Sequence, residues 1–393
     1  MAELAHFKNF AKLKDTSIEF NDITVLAGKP GTGKSYVMKF IYGINESYKK
    51  ALDDTSNIQA ENEKHKEKLN SILEKAKDTK VLEKEFSTSD KRTMKEVIDI
   101  LRLSLEASTL DSVVKKLEKQ TKEYSNISQH NLQERLIGNI IKAIFGSFSQ
   151  LSDDFSVHYK HLSVVYKDDG LNIKSDIEEI KVLSNVFVET PLILELHKHM
   201  DRREAKTRYH VESLLDILDE DYSFTDEEQD EFIMSFSKKA NAIIGGDIKN
   251  SNGSFVFSRN NDKDYNIFNA SSGIKSIGLL QYLVTNKALK KGSVLFWEEP
   301  EVHLHPEWQL KMVDLLVELM NAGVKIVFST HSPYMADYLN AISQKHEFRD
   351  KVSFNLLKED DGIVENVILD KENWSEIQSE LLDPLEDIVW EYL

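Results

Sequence analysis

The chain has 393 residues, with 50 lysines and arginines against 67 aspartates and glutamates, for a formal net charge of −17. That balance excludes a protein coated by nucleic acid over most of its surface, because displacing phosphate counterions takes positive charge. Cysteine is absent altogether, which excludes disulfide scaffolds, thiolate zinc sites and cysteine nucleophiles and suits a reducing compartment.

At about 150 residues per domain there is room for two or three structural units. Met1 to Lys8 lacks the basic start and apolar run of a secretory signal, and no stretch approaches the length of a membrane span. A soluble, cytoplasmic protein without a membrane partner is expected. Short alternating segments open the chain, and Ala5 to Phe10, Ser17 to Phe20 and Ile23 to Ala27 read as strands. Gly28-Lys29-Pro30-Gly31-Thr32-Gly33-Lys34-Ser35 follows and matches G-x-x-x-x-G-K-[ST] at every fixed position. The pattern works as strand, turn and helix N-terminus, where backbone N–H groups and the helix dipole converge on an anion. Here the strand precedes it and a helix opens at Tyr36, which is counted with the nucleotide-binding residues. Lys34 then reaches the β- and γ-phosphates of a nucleoside triphosphate, and the Ser35 hydroxyl ligates Mg²⁺.

From about Asn45 to Lys122 the chain is rich in Lys and Glu at helical spacing. Leu69, Ile72, Leu73 and Ala76 form one apolar face, Val97, Leu101 and Leu105 another, and Leu132, Leu136, Ile140 and Ile144 a third. The registers are too broken for a long coiled coil, so a compact helical insertion is expected. Strand texture returns at Leu162 to Tyr166, Leu171 to Lys174 and Asn185 to Glu189. A basic stretch, His197, Lys198, His199, Arg202, Arg203, Lys206, Arg208 and His210, is the one local candidate for nucleic acid; its bland reading is a solvated connection. Glu227 to Ile244 reads as a helix ended by Gly245-Gly246, and Ser254 to Ser258 and Tyr265 to Phe268 as strands.

After Gly273 helix and strand alternate: Ile274 to Leu289, Ser293 to Glu298, Pro306 to Met320, Lys325 to Ser329, Pro333 to Ile342. This is the pattern of a mainly parallel sheet covered by helices. A hairpin, Lys351 to Leu357 with Ile363 to Leu369, and an amphipathic helix complete it. The apolar run Val294 to Trp297 ends in Glu298-Glu299. A phosphate loop needs carboxylates at a strand's C-terminal edge for metal and water, so Glu298 is assigned to Mg²⁺, directly or through a water, and Glu299 to the attacking water as general base. A second core strand ends at His331, placed to hydrogen-bond the γ-phosphate or that water.

Gly28 to Ser35, Ser271-Ser272-Gly273, Trp297 to Pro306 and Thr330-His331-Ser332-Pro333 together resemble an ABC-class ATPase. More narrowly they are similar to the soluble branch of the overcoming-lysogenization-defect (OLD) and related phage-defence ATPases, with chromosome-maintenance and RecF-type repair ATPases as cousins. The resemblance covers about residues 1 to 45 and 250 to 345. It implies an α/β fold, a P-loop NTPase of the ABC ATPase type: a mainly parallel central sheet, an antiparallel N-terminal β subdomain and a large helical insertion. The core would comprise 1–45 and 245–393. The insertion would be 46–244, mostly helical over 46–150, its strands and helices returning to the core over 151–244.

By the same resemblance the cofactors are ATP and Mg²⁺, and two chains form a homodimer head to tail on ATP binding. Ser271, Ser272 and Gly273 form a trans signature that meets the γ-phosphate held by the opposite subunit. The sequence departs from L-S-G-G-Q at Ser272 and Ile274, and carries Glu298 where most relatives have aspartate. The loop Glu301 to His305 would sense the other site, with His303 and His305 at the interface or, alternatively, forming a metal pair. No glutamine for contacting Mg²⁺ between the two halves is assigned; Gln150 has no surroundings that select it. Too few residues follow His331 for a Toprim nuclease, so the expected output is a conformational switch on a separate effector protein, as in phage defence. The alternatives are a RecF-like DNA-binding clamp using Lys198 to His210, a transporter subunit, and a nucleotide-sensing scaffold.

Overall fold

The structure is a computed structural model and describes residues 2–50, 136–175, 184–197, 208–220, 227–251 and 254–382. The expected stripes at Leu69 to Ala76 and Val97 to Leu105, and the start of the third at Leu132, lie outside those residues. So does the basic stretch from Lys198 to Lys206. The chain divides into one unit made of Met1–Lys49 with Ile137–Leu393 and a second made of Lys50–Leu136. The first unit holds the phosphate loop and every described strand.

One sheet runs through this unit. Its strands are β1 (Glu3–Phe10), β2 (Leu13–Phe20), β3 (Ile23–Ala27), β4 (Phe155–Tyr159), β5 (Leu162–Lys167), β6 (Gly170–Ser175), β7 (Asn185–Val188), β11 (Val294–Glu298), β12 (Lys325–Thr330), β13 (Val352–Asp360) and β14 (Ile363–Leu369). A separate antiparallel sheet holds β8 (Gly246–Ser251), β9 (Ser254–Arg259) and β10 (Asp264–Asn266). In space the large sheet has the order β6-β5-β4-β1-β2-β14-β13-β3-β12-β11-β7. The block β6-β5-β4-β1-β2 is antiparallel, whereas β13, β3, β12, β11 and β7 run parallel. The expected α/β architecture, with a parallel core and an antiparallel part, is what the chain adopts. The two parts are continuous, joined where β14 meets β2 at Val364 and Leu13.

The parallel strands are apolar on both sides because both sides are covered. On β11, Leu295 and Trp297 enter one core while Val294 and Phe296 enter the other. Likewise Val186 and Val188 of β7 face one core and Phe187 the other. The first core is roofed by helices Tyr209–Asp219, Glu227–Ile244, Ser272–Thr285, Pro306–Asn321 and Pro333–Lys345. The second is roofed by the helix at 34–50, through Val37, Phe40 and Ile41, and by the helix at 136–145, through Ile137, Ile140, Ile141 and Ile144. Thus Ile140 and Ile144 of the third expected stripe serve as core.

Three local readings change. Tyr265 to Phe268, expected as a strand, splits into β10 and a 3-10 turn at Ile267–Asn269, because the Asn266 side chain accepts from Phe268 N and bends the chain. Gly245 (φ 74) ends its helix as expected, but Gly246 already begins β8. Phe155–Tyr159, not anticipated, is the strand that joins β5 to β1.

Helix Ser272–Thr285 lies so close to β8 that a Cβ on Gly278 would stand 2.2 Å from Ile248 Cγ1. Helix propensity alone would favour alanine there by about 1 kcal/mol. Overpacking against a branched carbon costs about 1–3 kcal/mol, so the overlap decides. Gly278→Ala is expected to lower the urea midpoint; a raised midpoint would show that propensity wins.

Candidate nucleotide site

The phosphate loop leaves the C-terminal tip of β3, and its backbone explains its glycines. Gly28 has φ +138, and a Cβ there would lie 2.3 Å from the carbonyl oxygen of Leu357 on β13. Gly31 and Gly33 sit at φ +81 and +91, the left-handed region that glycine enters without penalty. Lys29 and Pro30 are exposed on the loop's outer side, and Thr32 Oγ1 donates to Lys29 O at 2.9 Å. Lys34 is buried, its ammonium donating to Gly28 O and Lys29 O at 2.8 Å each. Burial lowers its pKa to about 8, against the opposing pull of the Glu299 and Glu301 carboxylates. Tyr36 is exposed and stacks on Phe145, with centroids 5.7 Å apart.

The neighbouring strands end within a residue of each other. Ala27 pairs with Thr330, Ser329 with Glu298, and Trp297 with Val188. The residues just past those pairs therefore line one edge: Gly28, His331, Glu299 and Glu189. His331 Nε2 lies 2.8 Å from Glu299 Oε1. A carboxylate only accepts, so the ring donates from Nε2. Burial, then Lys34, lowers the His331 pKa, with Glu299 and a hydrogen bond to the Gly28 backbone opposing. Glu299 itself has φ 47, a left-handed conformation uncommon outside glycine, and its N–H is tied to Ser329 O and Oγ at 3.2 Å each.

The Ser35 hydroxyl lies close enough to the Glu298 carboxyl to help lower its pKa, so the two residues assigned to the metal stand side by side. Burial raises the Glu298 pKa, while Lys39, 3.2 Å away, acts to lower it. Oxygen donors from one hydroxyl and one carboxylate suit Mg²⁺, which takes few protein ligands and completes its shell with phosphate and water. Among the described residues no group of three or more His, Cys, Asp or Glu could hold a metal unaided. His305 Nδ1 is engaged as the N-cap of helix Pro306–Asn321, accepting from Glu307 N at 3.3 Å, and His303 is exposed at φ 66.

Ser271 caps helix Ser272–Thr285, its Oγ accepting from Ile274 N at 3.3 Å. Its bond is to its own helix rather than to the phosphate loop. Gly273 is packed, and a Cβ there would meet Trp308 at 3.2 Å and Leu304 at 3.4 Å. Ser272, beside it in the chain, is half-buried. Gln150 is exposed on the 3-10 turn that leads into β4.

Four residues of the site escape a reading of the sequence alone. Lys39, buried, bridges Glu189 at 2.9 Å and Glu298 at 3.2 Å. Buried His210, the end of the basic stretch, meets Glu189 Oε2 at 3.0 Å, and His197 at its other end is buried 2.7 Å from Asp219. Glu301 Oε1 accepts from Thr330 Oγ1 at 2.9 Å and from His331 N at 2.7 Å. Two of them carry a signal. Glu189 is an acid closing an apolar strand, as Glu298 is, and Lys39 lies four residues after Ser35, on the same helix face.

These elements define a P-loop ATPase: a phosphate loop at a strand tip, a hydroxyl and a carboxylate beside it, and a glutamate–histidine pair on adjacent strands. Residues 6–336 match the AAA ATPase domain model, and the chain belongs to that family. Among solved structures it is similar to the SMC head domain from Thermotoga maritima (12% identity, 94% of this chain and 99% of that one, TM-score 0.43). It is also similar to an SMC head bound to the C-winged helix domain of ScpA (11% identity, 96% and 99%, TM-score 0.48). A third is MJ1267, an ATP-binding cassette of an ABC transporter (12% identity, 99% and 99%, TM-score 0.36). No curated protein matches.

The Glu189 network makes a pH-dependent contribution to stability. Its hydrogen bond to His210, with help from Lys39, brings its pKa from 4.5 to about 2, against desolvation. A carboxylate depressed on folding stabilises fully above 4.5 and loses that contribution as pH falls toward 2. The side chain is 33% exposed, so solvent screening trims the effect to about 1–2 kcal/mol. Glu189→Gln should cost that much in urea unfolding at pH 7, and the gap to wild type should narrow below pH 4.5; a constant gap would assign the loss to packing.

Proposed function

We propose that the chain binds ATP with Mg²⁺ and hydrolyses it between two copies arranged head to tail, and that opening and closing of this dimer switches a separate effector protein. One observation carries the reading: His331 and Glu299 meet at 2.8 Å beside Lys34, on the edge where Ser35 and Glu298 also meet. Gly28 to Ser35 with Tyr36 would hold the nucleotide, Lys34 exchanging its carbonyl partners for phosphate oxygens. Ser35 and Glu298 would hold Mg²⁺, which would supply positive charge against the triphosphate. Glu299 would take the proton of the attacking water, and His331 would orient Glu299 and contact the γ-phosphate.

Ser271 and Gly273 support the dimer part of the reading. Ser271 is exposed at a helix N-terminus, where N–H groups and the dipole favour an anion, and its hydroxyl bonds within its own helix. An opposite subunit's γ-phosphate fits that terminus. Resemblance to the OLD branch supports a phage-defence setting with an effector on another chain. The RecF-like reading is weakened at the two ends of the basic stretch, since His197 and His210 are buried against acids.

Two substitutions test the mechanism. Lys34→Ala should abolish binding of a fluorescent ATP analogue while the protein remains folded. Glu299→Gln should preserve binding, lower turnover by about 10²–10⁴-fold, and accumulate an ATP-dependent dimer in light scattering. Normal turnover in the glutamine variant would remove Glu299 as the base. Loss of turnover with a strictly monomeric protein would remove the dimer.

A further inference from the structure

We propose that Glu301 is the positioning residue that aims His331 at Glu299. The catalytic consequence rests on the ATPase reading above; the geometric claim does not. The ladder between β12 and β3 ends at the pair Thr330 and Ala27. The next N–H, that of His331, therefore has no strand to donate to, and a peptide free to tilt there would swing the imidazole. Glu301 supplies the missing acceptor. Its Oε1 takes His331 N at 2.7 Å and Thr330 Oγ1 at 2.9 Å, and Thr330 Oγ1 in turn accepts from Ser332 N at 2.9 Å. The three residues around the histidine backbone are thus tied, directly or through Thr330, to one carboxylate oxygen.

Stability does not account for a carboxylate in this place. Glu301 Oε2 is buried without a hydrogen-bond partner among the described residues, and burial raises the group's pKa. Leaving a charged acceptor half-satisfied is costly. The site instead obtains a fixed peptide plane from which the imidazole reaches Glu299 at 2.8 Å. A competing role is electrostatic, because the Glu301 charge also acts on Lys34. Geometry and charge are separable by substitution: glutamine retains an acceptor oxygen at the same reach without the charge, and aspartate retains the charge one methylene short.

The experiment compares Glu301→Gln, Glu301→Asp and Glu301→Ala in the full chain. The imidazole N–H proton resonance of His331, assigned by its loss in His331→Ala, is recorded without nucleotide. Glu301→Gln should keep the downfield position that reports the bond to Glu299, and the aspartate and alanine variants should lose it. In steady-state ATPase assays aspartate and alanine should lower kcat by about 100-fold, the scale of a displacement near 1 Å, with KM little changed; glutamine should retain most of the turnover. If aspartate behaves as wild type and glutamine does not, charge is what matters and the proposal falls. Retention of the resonance in alanine overturns it as well, and an unfolded alanine variant leaves the aspartate and glutamine pair to decide. Should the resonances follow the expected order while even wild type hydrolyses no ATP, the ATPase reading fails and the positioning claim stands.

Discussion

The site depends on the register of four parallel strands. In Ile23–Ala27, Lys325–Thr330, Val294–Glu298 and Asn185–Val188 each strand ends within a residue of its neighbour, and the residue after each end belongs to the candidate site. A slip of one residue would move a tip by about 3.3 Å, more than enough to part His331 from Glu299. What forbids the slip is burial on both faces. Trp297 and Phe296 are fully buried on opposite sides of the sheet, so a slipped strand would exchange their cores and leave misfit volumes in each. The geometry of the site is thus held by apolar packing that lends it no polar atom.

Much of this is legible in the sequence, and for a physical reason. The phosphate loop, Glu298, Glu299 and His331 sit at ends of apolar runs, and an apolar run ending in a polar residue marks the edge of a buried parallel strand. Glu189 follows the same rule but escapes notice because its strand is short and nothing in a motif points to it. Glu301 obeys no such rule. Its importance comes from lying opposite Thr330 and His331 across a loop, a proximity that a linear reading does not contain. His210 misleads for a related reason: a basic stretch reads as solvent-facing, yet its end is drawn inward by Glu189 and packs on Phe187 at 5.0 Å. Phe155–Tyr159 is hard to see because alternation over so short a segment is weak evidence until β1 is known to need a partner.

Charge is distributed along the edge in a definite order. Glu189, Glu298, Glu299 and Glu301 supply carboxylates, and Lys39 and Lys34 supply ammonium groups between them. Lys39 bridges Glu189 and Glu298 with a single ammonium, so its own charge is fully engaged while one carboxylate charge is left over. Lys34 is different. Its buried ammonium is satisfied by neutral carbonyls, and burial has lowered its pKa to about 8. A group desolvated without a full counter-charge gains when an anion arrives, whereas Lys39 has little left to gain. Of these two buried lysines, Lys34 is the one whose charge is left without a bonded carboxylate.

The loop after β11 connects this chemistry to the surface where another molecule would press. Glu299 and His303 both occupy left-handed backbone, at φ 47 and 66, each of which costs about 1–3 kcal/mol and persists only where the surroundings hold it. They are fixed: Glu299 N binds Ser329, Leu304 N binds Glu301 O, and Gln309 bonds both Leu304 O at 3.1 Å and the Ser332 hydroxyl at 2.5 Å. The same Leu304, with Trp308, packs against Gly273 at the exposed start of the helix that Ser271 caps. That helix start is therefore linked through close contacts and hydrogen bonds to the residues flanking His331. A rigid loop of this kind suits a dimer switch better than a flexible one, because a soft connection would absorb the displacement that a closing partner imposes.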